Sequence, residues 1–326
     1  MAKGAGRDES IDALKFYAMG LVVMMHEFNL VPAFKRLPHA STVVDVLWAF
    51  SMPLFALLSG LVLWGREGHH PVRFLWRKAQ ALVVPYIVWI SLELPIRQFV
   101  FHMKGYEPSD WLPRLAWALI DVSRGIQMWF LIALFWVFVV FVLLRLVSTS
   151  RWWLAATAVA LSQVPRFWPD APWTVSKVCW LYLFLVIGYL IASERERLSP
   201  FAWPAMIAGF IAFPVFVAFD ASVPKELTAL AGIGASWAVY RVLPKRSVAI
   251  QAHWGRLSLG IYGAQMLVLP FLVFGDGYLG VALSWSATMA ACVVISLLLE
   301  RWAPTRAVLL GQWPRPKPRA EAAATA

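Results

Sequence analysis

Apolar residues in this chain come in long unbroken runs, and the polar residues collect between them. Ten runs can be marked: residues 12–30, 43–64, 80–99, 126–146, 152–165, 177–192, 202–219, 226–242, 257–274 and 279–299. Each is continuous rather than alternating, so each predicts a helix and not a barrel strand. Most approach the roughly 20 residues that a bilayer core requires, and the fifth and sixth are the short ones. The pattern predicts an all-α polytopic membrane protein with about ten transmembrane helices. The longest connection, about 100–125, holds a candidate amphipathic helix over Trp111–Val122, which is expected to lie on the membrane surface or to lid a cavity. After the tenth run, the Pro- and Ala-rich segment that begins near Trp313 has few core-forming residues. The expected division is a transmembrane domain over 1–311 and a disordered tail over 312–326.

Charge then orients the runs. With the N-terminus inside, nineteen of the 29 Lys and Arg fall on inside segments and nine on outside segments, with Lys15 within the first run. The bias places both termini in the cytoplasm. The chain is 60% hydrophobic and only 14% charged, with net charge +11. Soluble proteins carry about 25% charged residues. The positive balance therefore reads as basic cytoplasmic loops beside anionic membrane lipid, and no nucleic-acid partner is expected. Met1–Ser10 is short and polar, and no small-residue cleavage site follows it, so no signal peptide is expected. Cys179 and Cys292 lie in apolar runs and read as small buried hydrophobes rather than a disulfide or metal site. Most of the 19 Trp are expected to anchor at the membrane interface.

The first run is the one that carries chemistry. Lys15 and His26 are eleven positions apart, which is three helical turns, so they share a face within about 20° and stand about 16 Å apart along the axis. Lys15 then lies at the cytoplasmic edge and His26 nearer the outer face. Ionisable groups at membrane depth are costly and mark function. Asp12 is one turn before Lys15 and can pair with it or with a helix N-terminus. Glu27 follows His26 and points about 100° away, so it reaches the imidazole only through the fold. In the third run, Glu93 and Arg97 stand at i,i+4 in the favourable order for an ion pair, with acceptor binding as the rival role. Ser59 and Gly60 read as helix packing.

Six stretches in order carry a resemblance. They are Lys15-x10-His26, Phe50-Ser-Met-Pro-Leu-Phe-Ala-Leu-Leu-Ser-Gly60, Phe74-Leu-Trp-Arg-Lys-Ala-Gln-Ala-Leu-Val-Val-Pro-Tyr86, Met128-Trp-Phe-Leu131, Leu257-Ser-Leu-Gly-Ile-Tyr262 and Glu300-Arg-Trp-Ala-Pro304. Together they resemble the acyltransferase-3 family of integral membrane acyltransferases, in particular its fucose 4-O-acetylase-like branch. The chain departs from that pattern at Ser51 and Gln265, where histidine is common, and at Lys15, where arginine is commoner.

The resemblance implies O-acyl transfer, usually acetyl, from a cytoplasmic acyl-CoA to a hydroxyl of a surface or exported polysaccharide or its lipid-linked precursor. It implies a multi-pass protein of the bacterial inner membrane. Acyl-CoA would be a co-substrate, with no permanently bound cofactor and no metal. A base must take the hydroxyl proton, and histidine, titrating near pH about 6.5 when unperturbed, is the residue for it. His26 is assigned that role, with Glu27 as its candidate companion. Lys15 is too far from His26 to touch the same atom and is assigned to phosphate or pantetheine, with snorkelling to lipid as the alternative. Arg73, Arg77 and Lys78 would hold the CoA phosphates, or serve as ordinary positive-inside charges. Arg124, Trp129, Tyr262 and Gln265 are candidates for the acceptor side. A glycan transporter or flippase stays open from the helix count and the buried charge, although no paired broken-helix repeats accompany it.

Overall fold

The computed structural model describes residues 9–64, 70–103, 111–120, 128–169, 171–172, 174–219 and 223–314. Every regular element among the described residues is helical. In order they are α1 (Glu9–Leu30), α2 (Pro32–Lys35), α3 (Ala40–Leu63), α4 (Pro71–Met103), α5 (Trp111–Ile120), α6 (Trp129–Val147), α7 (Arg151–Ser162), α8 (Val164–Phe167), α9 (Val175–Ser193), α10 (Arg195–Leu198), α11 (Ala202–Ala218), α12 (Lys225–Val242), α13 (Lys245–Gly255), α14 (Ser258–Val268), α15 (Gly277–Glu300) and α16 (Ala303–Val308). Each of the ten apolar runs finds a helix. Six stretches are long and apolar enough to cross a membrane by length and composition: α3, α4 as far as Phe99, α6, α9, the α10–α11 stretch and α15. The protein is an integral membrane protein.

Several elements differ from the sequence reading. The helix α4 starts nine residues earlier than the apolar run and has 33 residues, because the segment with Arg73, Arg77 and Lys78 continues the helix beyond the apolar stretch. The fifth run splits: α7 has only 12 residues and a one-residue turn at Gln163 leads to α8. The candidate amphipathic helix is α5, with Val122 outside the described residues. It does more than lie on a surface, since Tyr86 of α4 donates its hydroxyl to Ala118 O at 2.7 Å within the buried interior. A new element is α13, in a stretch read as a connecting loop. It is polar enough to escape an apolar count, yet it buries Ala252 and Gly255 against α1.

The helix α1 packs against α3, α13, α14 and α15, and α3 in turn packs against α9 and α12. Glycines set the closest approaches. A Cβ on Gly60 would stand 2.0 Å from Leu185 O, and one on Gly188 would stand 2.1 Å from Leu57 O. The two glycines therefore let the α3 and α9 backbones touch, as small residues do between membrane helices. Gly255 meets the Asp12 backbone in the same way.

The two ends of the bundle differ. At one end Trp64 packs on Tyr189 and Arg145 donates to the Tyr189 hydroxyl at 3.0 Å. Arg151 pairs with Glu194 beside them. At the other end Trp48 packs on Trp129 with ring centroids 5.6 Å apart, and Lys177 lies over the Trp129 ring at 4.3 Å. Trp64, Trp76, Trp152, Trp203 and Trp302 are exposed near helix ends, as interface anchors are. The chain after α15 turns back onto α4. Leu309 O accepts from Trp89 Nε1 at 2.9 Å, and Trp313 Nε1 donates to Gln80 O at 2.9 Å. Trp313 thus lies beyond the expected boundary at 311 and still docks; residues 315–326 of the expected tail lie outside the described residues.

Candidate active site

The helix α1 begins with Glu9 and Asp12 in its first turn, where carboxylates complement the helix dipole. It then runs unbroken for 22 residues, so the three-turn relation of Lys15 to His26 holds. Lys15 Nζ pairs with Asp12 Oδ1 at 3.1 Å. This is the pairing the spacing allowed, and it lies at the end where α13 packs. Residues 31–39 join the other end of α1 to the start of α3, so His26 lies towards the end that holds Trp48 and Trp129.

The His26 side chain is turned inward, with only 5% of the residue exposed. Its side-chain contact is Gln265 of α14. Nδ1 has no hydrogen-bond partner among the described residues, and neither has Gln265 Oε1. Gln265 Nε2 donates to Tyr262 O at 3.2 Å, one turn back on the same helix. The Tyr262 hydroxyl is hydrogen-bonded by the Phe130 backbone, next to Trp129. Two of the sequence candidates, His26 and Gln265, are thus brought together; Tyr262 meets Gln265 through its backbone oxygen, and Trp129 stands one residue from the group that ties the Tyr262 hydroxyl.

Glu27 turns away. It is fully buried, and its Oε1 accepts from Thr288 Oγ1 of α15 at 3.0 Å. No hydrogen bond joins it to the imidazole; the 100° offset between neighbouring positions sends the two side chains to different helices. Arg73 and Arg77 are exposed on the first turns of α4. Lys78 is half-buried with Nζ over the Phe138 ring at 3.8 Å, so its head lies on an aromatic face rather than beside the two arginines. Arg124 lies outside the described residues.

Two further buried groups are Glu93, for which the sequence left acceptor binding as the rival to an ion pair, and Ser51. Glu93 of α4 is 1% exposed; Oε1 accepts from Arg97 Nη1 at 3.4 Å and Oε2 has no partner among the described residues. The spacing that signalled the ion pair was legible, and the second oxygen was not. Ser51 of α3 is fully buried with its hydroxyl likewise without a partner. Buried polar atoms are nearly always hydrogen-bonded, so such groups in one protein are where a polar substrate or solvent is to be looked for.

Chemically, the arrangement offers a buried imidazole with one open ring nitrogen, an amide beside it, and carboxyl and phenol groups on the adjoining helices. That set can accept a proton from a hydroxyl and hold the oxygen it came from. No curated protein and no solved structure matches the chain. The family model described as an acyltransferase domain matches residues 8–301, which takes in every group named above, and the chain belongs to the acyltransferase-3 family of membrane acyltransferases.

Proposed function

We propose that the protein is an O-acyltransferase that moves an acetyl group from cytoplasmic acetyl-CoA to a hydroxyl of a surface or exported polysaccharide or its lipid-linked precursor. In this reading it spans the inner membrane of a bacterium ten times, with both termini in the cytoplasm, the orientation that the Lys and Arg distribution favours. The observation that carries the reaction is the inward His26 ring with its open Nδ1.

The steps balance without a stored intermediate. His26 takes the proton as the acceptor oxygen attacks the thioester carbonyl. The C–S bond breaks, and the proton passes to the departing CoA sulfur. The products are the ester and CoA. Gln265 supports the ring from α14 and keeps its orientation. Lys15, held by Asp12, and the exposed Arg73 and Arg77 face the donor side and suit its phosphates. With Lys15 about 16 Å below His26, an extended pantetheine arm bridges the interval. Holding the two substrates together supplies much of the rate.

Membranes containing the protein, incubated with labelled acetyl-CoA, should label the parent glycan. His26→Ala should lower the labelling by about 10²–10⁴-fold, the usual contribution of a general base. Glycan that crosses the membrane with its acyl content unchanged would instead identify a transporter and end this reading.

A further inference from the structure

The reaction above makes no use of Glu93, and its surroundings are those of a binding group. It sits in the interior of α4 with one oxygen on Arg97 and the other, Oε2, buried and without a partner among the described residues. An i,i+4 pair contributes little by itself, and a buried carboxylate oxygen that lacks a donor costs more than such a pair returns. A structural ion pair therefore does not account for the position.

The register of α4 against α14 explains what Glu93 faces. Trp89 fills the space over Gly263, where a Cβ would lie 2.1 Å from the indole ring. Trp89 is fixed there by its bond to Leu309 O. Glu93 is one turn further along the same face of α4. Tyr86, one turn before Trp89, gives its own hydroxyl to Ala118 O. From Tyr262 it is one turn along α14 to Gln265, and Gln265 touches His26. Glu93 on α4 and His26 on α1 thus both stand on helices that pack on α14.

We propose that Glu93 Oε2 accepts a hydrogen bond from a second hydroxyl of the acceptor while His26 takes the proton of the hydroxyl that is acylated. The acceptor is then a polyol, a sugar ring with two hydroxyls within reach, and not a lone alcohol. Glu93 binds and positions; it takes no proton. This inference rests on the transferase reading given above.

The test uses the full chain in membranes, labelled acetyl-CoA, and parent surface glycan freed of its esters with mild alkali as the acceptor. Glu93→Gln is nearly isosteric. It should raise KM for this glycan about tenfold, the loss expected for a hydrogen bond to a charged acceptor, and leave KM for acetyl-CoA within about twofold. Glu93→Asp keeps the charge but withdraws it, and should give a smaller rise in the same constant; it serves as the test if the amide variant is not recovered folded. An unchanged glycan KM in these variants, or an equal rise in both constants, overturns the assignment. If the parent protein labels no glycan, the transferase reading falls and this one with it; a labelled parent beside an unaffected Glu93→Gln removes this inference alone.

Discussion

His26 and Glu27 are neighbours in the chain and serve different helices. The imidazole meets Gln265 of α14, while the Glu27 carboxylate is bonded by Thr288 of α15. The two should separate in experiment. Gln265→Leu keeps the volume but removes the amide beside the ring; kcat should fall about tenfold with the melting temperature little changed, measured as acetyl transfer and by thermal unfolding in detergent. Thr288→Val leaves a buried carboxylate oxygen without its donor and should cost about 1–3 kcal/mol of stability, read as a lower melting temperature. The spacing of Lys15, Asp12 and His26 was legible because one helix fixes it. The partner of the imidazole was not, since it depends on how α1 and α14 register. The resemblance still marked position 265, where a histidine is usual and a glutamine stands.

Among elements, the α3–α9 crossing is the contact most sensitive to a single atom. Gly60→Val places a branched side chain where a Cβ alone would meet Leu185 O at 2.0 Å. The helices must part, and a loss of about 3 kcal/mol or more is expected, at the upper end of overpacking costs. A thermal melt that stays at the parental value would show that the backbones do not touch there. This role for Gly60 was readable from its place in an apolar run. The helix α13 was not readable. Its sequence, Lys245-Arg-Ser-Val-Ala-Ile-Gln-Ala-His-Trp-Gly255, is too polar for an apolar count, and its fit to α1 rests on the absence of a side chain at Gly255. Likewise α4 outran its apolar stretch, because helix propensity continues where hydrophobicity stops.

For the whole molecule, hydrophobic runs located the long helices and passed over α13, and charge predicts an orientation with both termini in the cytoplasm. A fluorescent reporter at the C-terminus should fold and emit in the cytoplasm, and a phosphatase inserted after Val223, between α11 and α12, should be active outside; the reverse pattern would invert the topology. Length alone did not identify the spans. The helix α7 is short, and α1 has Asp12, Lys15, His26 and Glu27 along it, so these helices owe their place to neighbours rather than to lipid. The segment after α15 has a consequence for biogenesis. Residues 303–313 brace α4 through Leu309, Gly311 and Trp313, and they follow all ten apolar runs in the order of synthesis. The apolar stretches can therefore enter the bilayer while Trp89 and the first turns of α4 still await their clamp. A chain truncated after Arg301 should therefore insert and still be open to protease near Gln80, whereas a chain that keeps residues 303–313 should be resistant there.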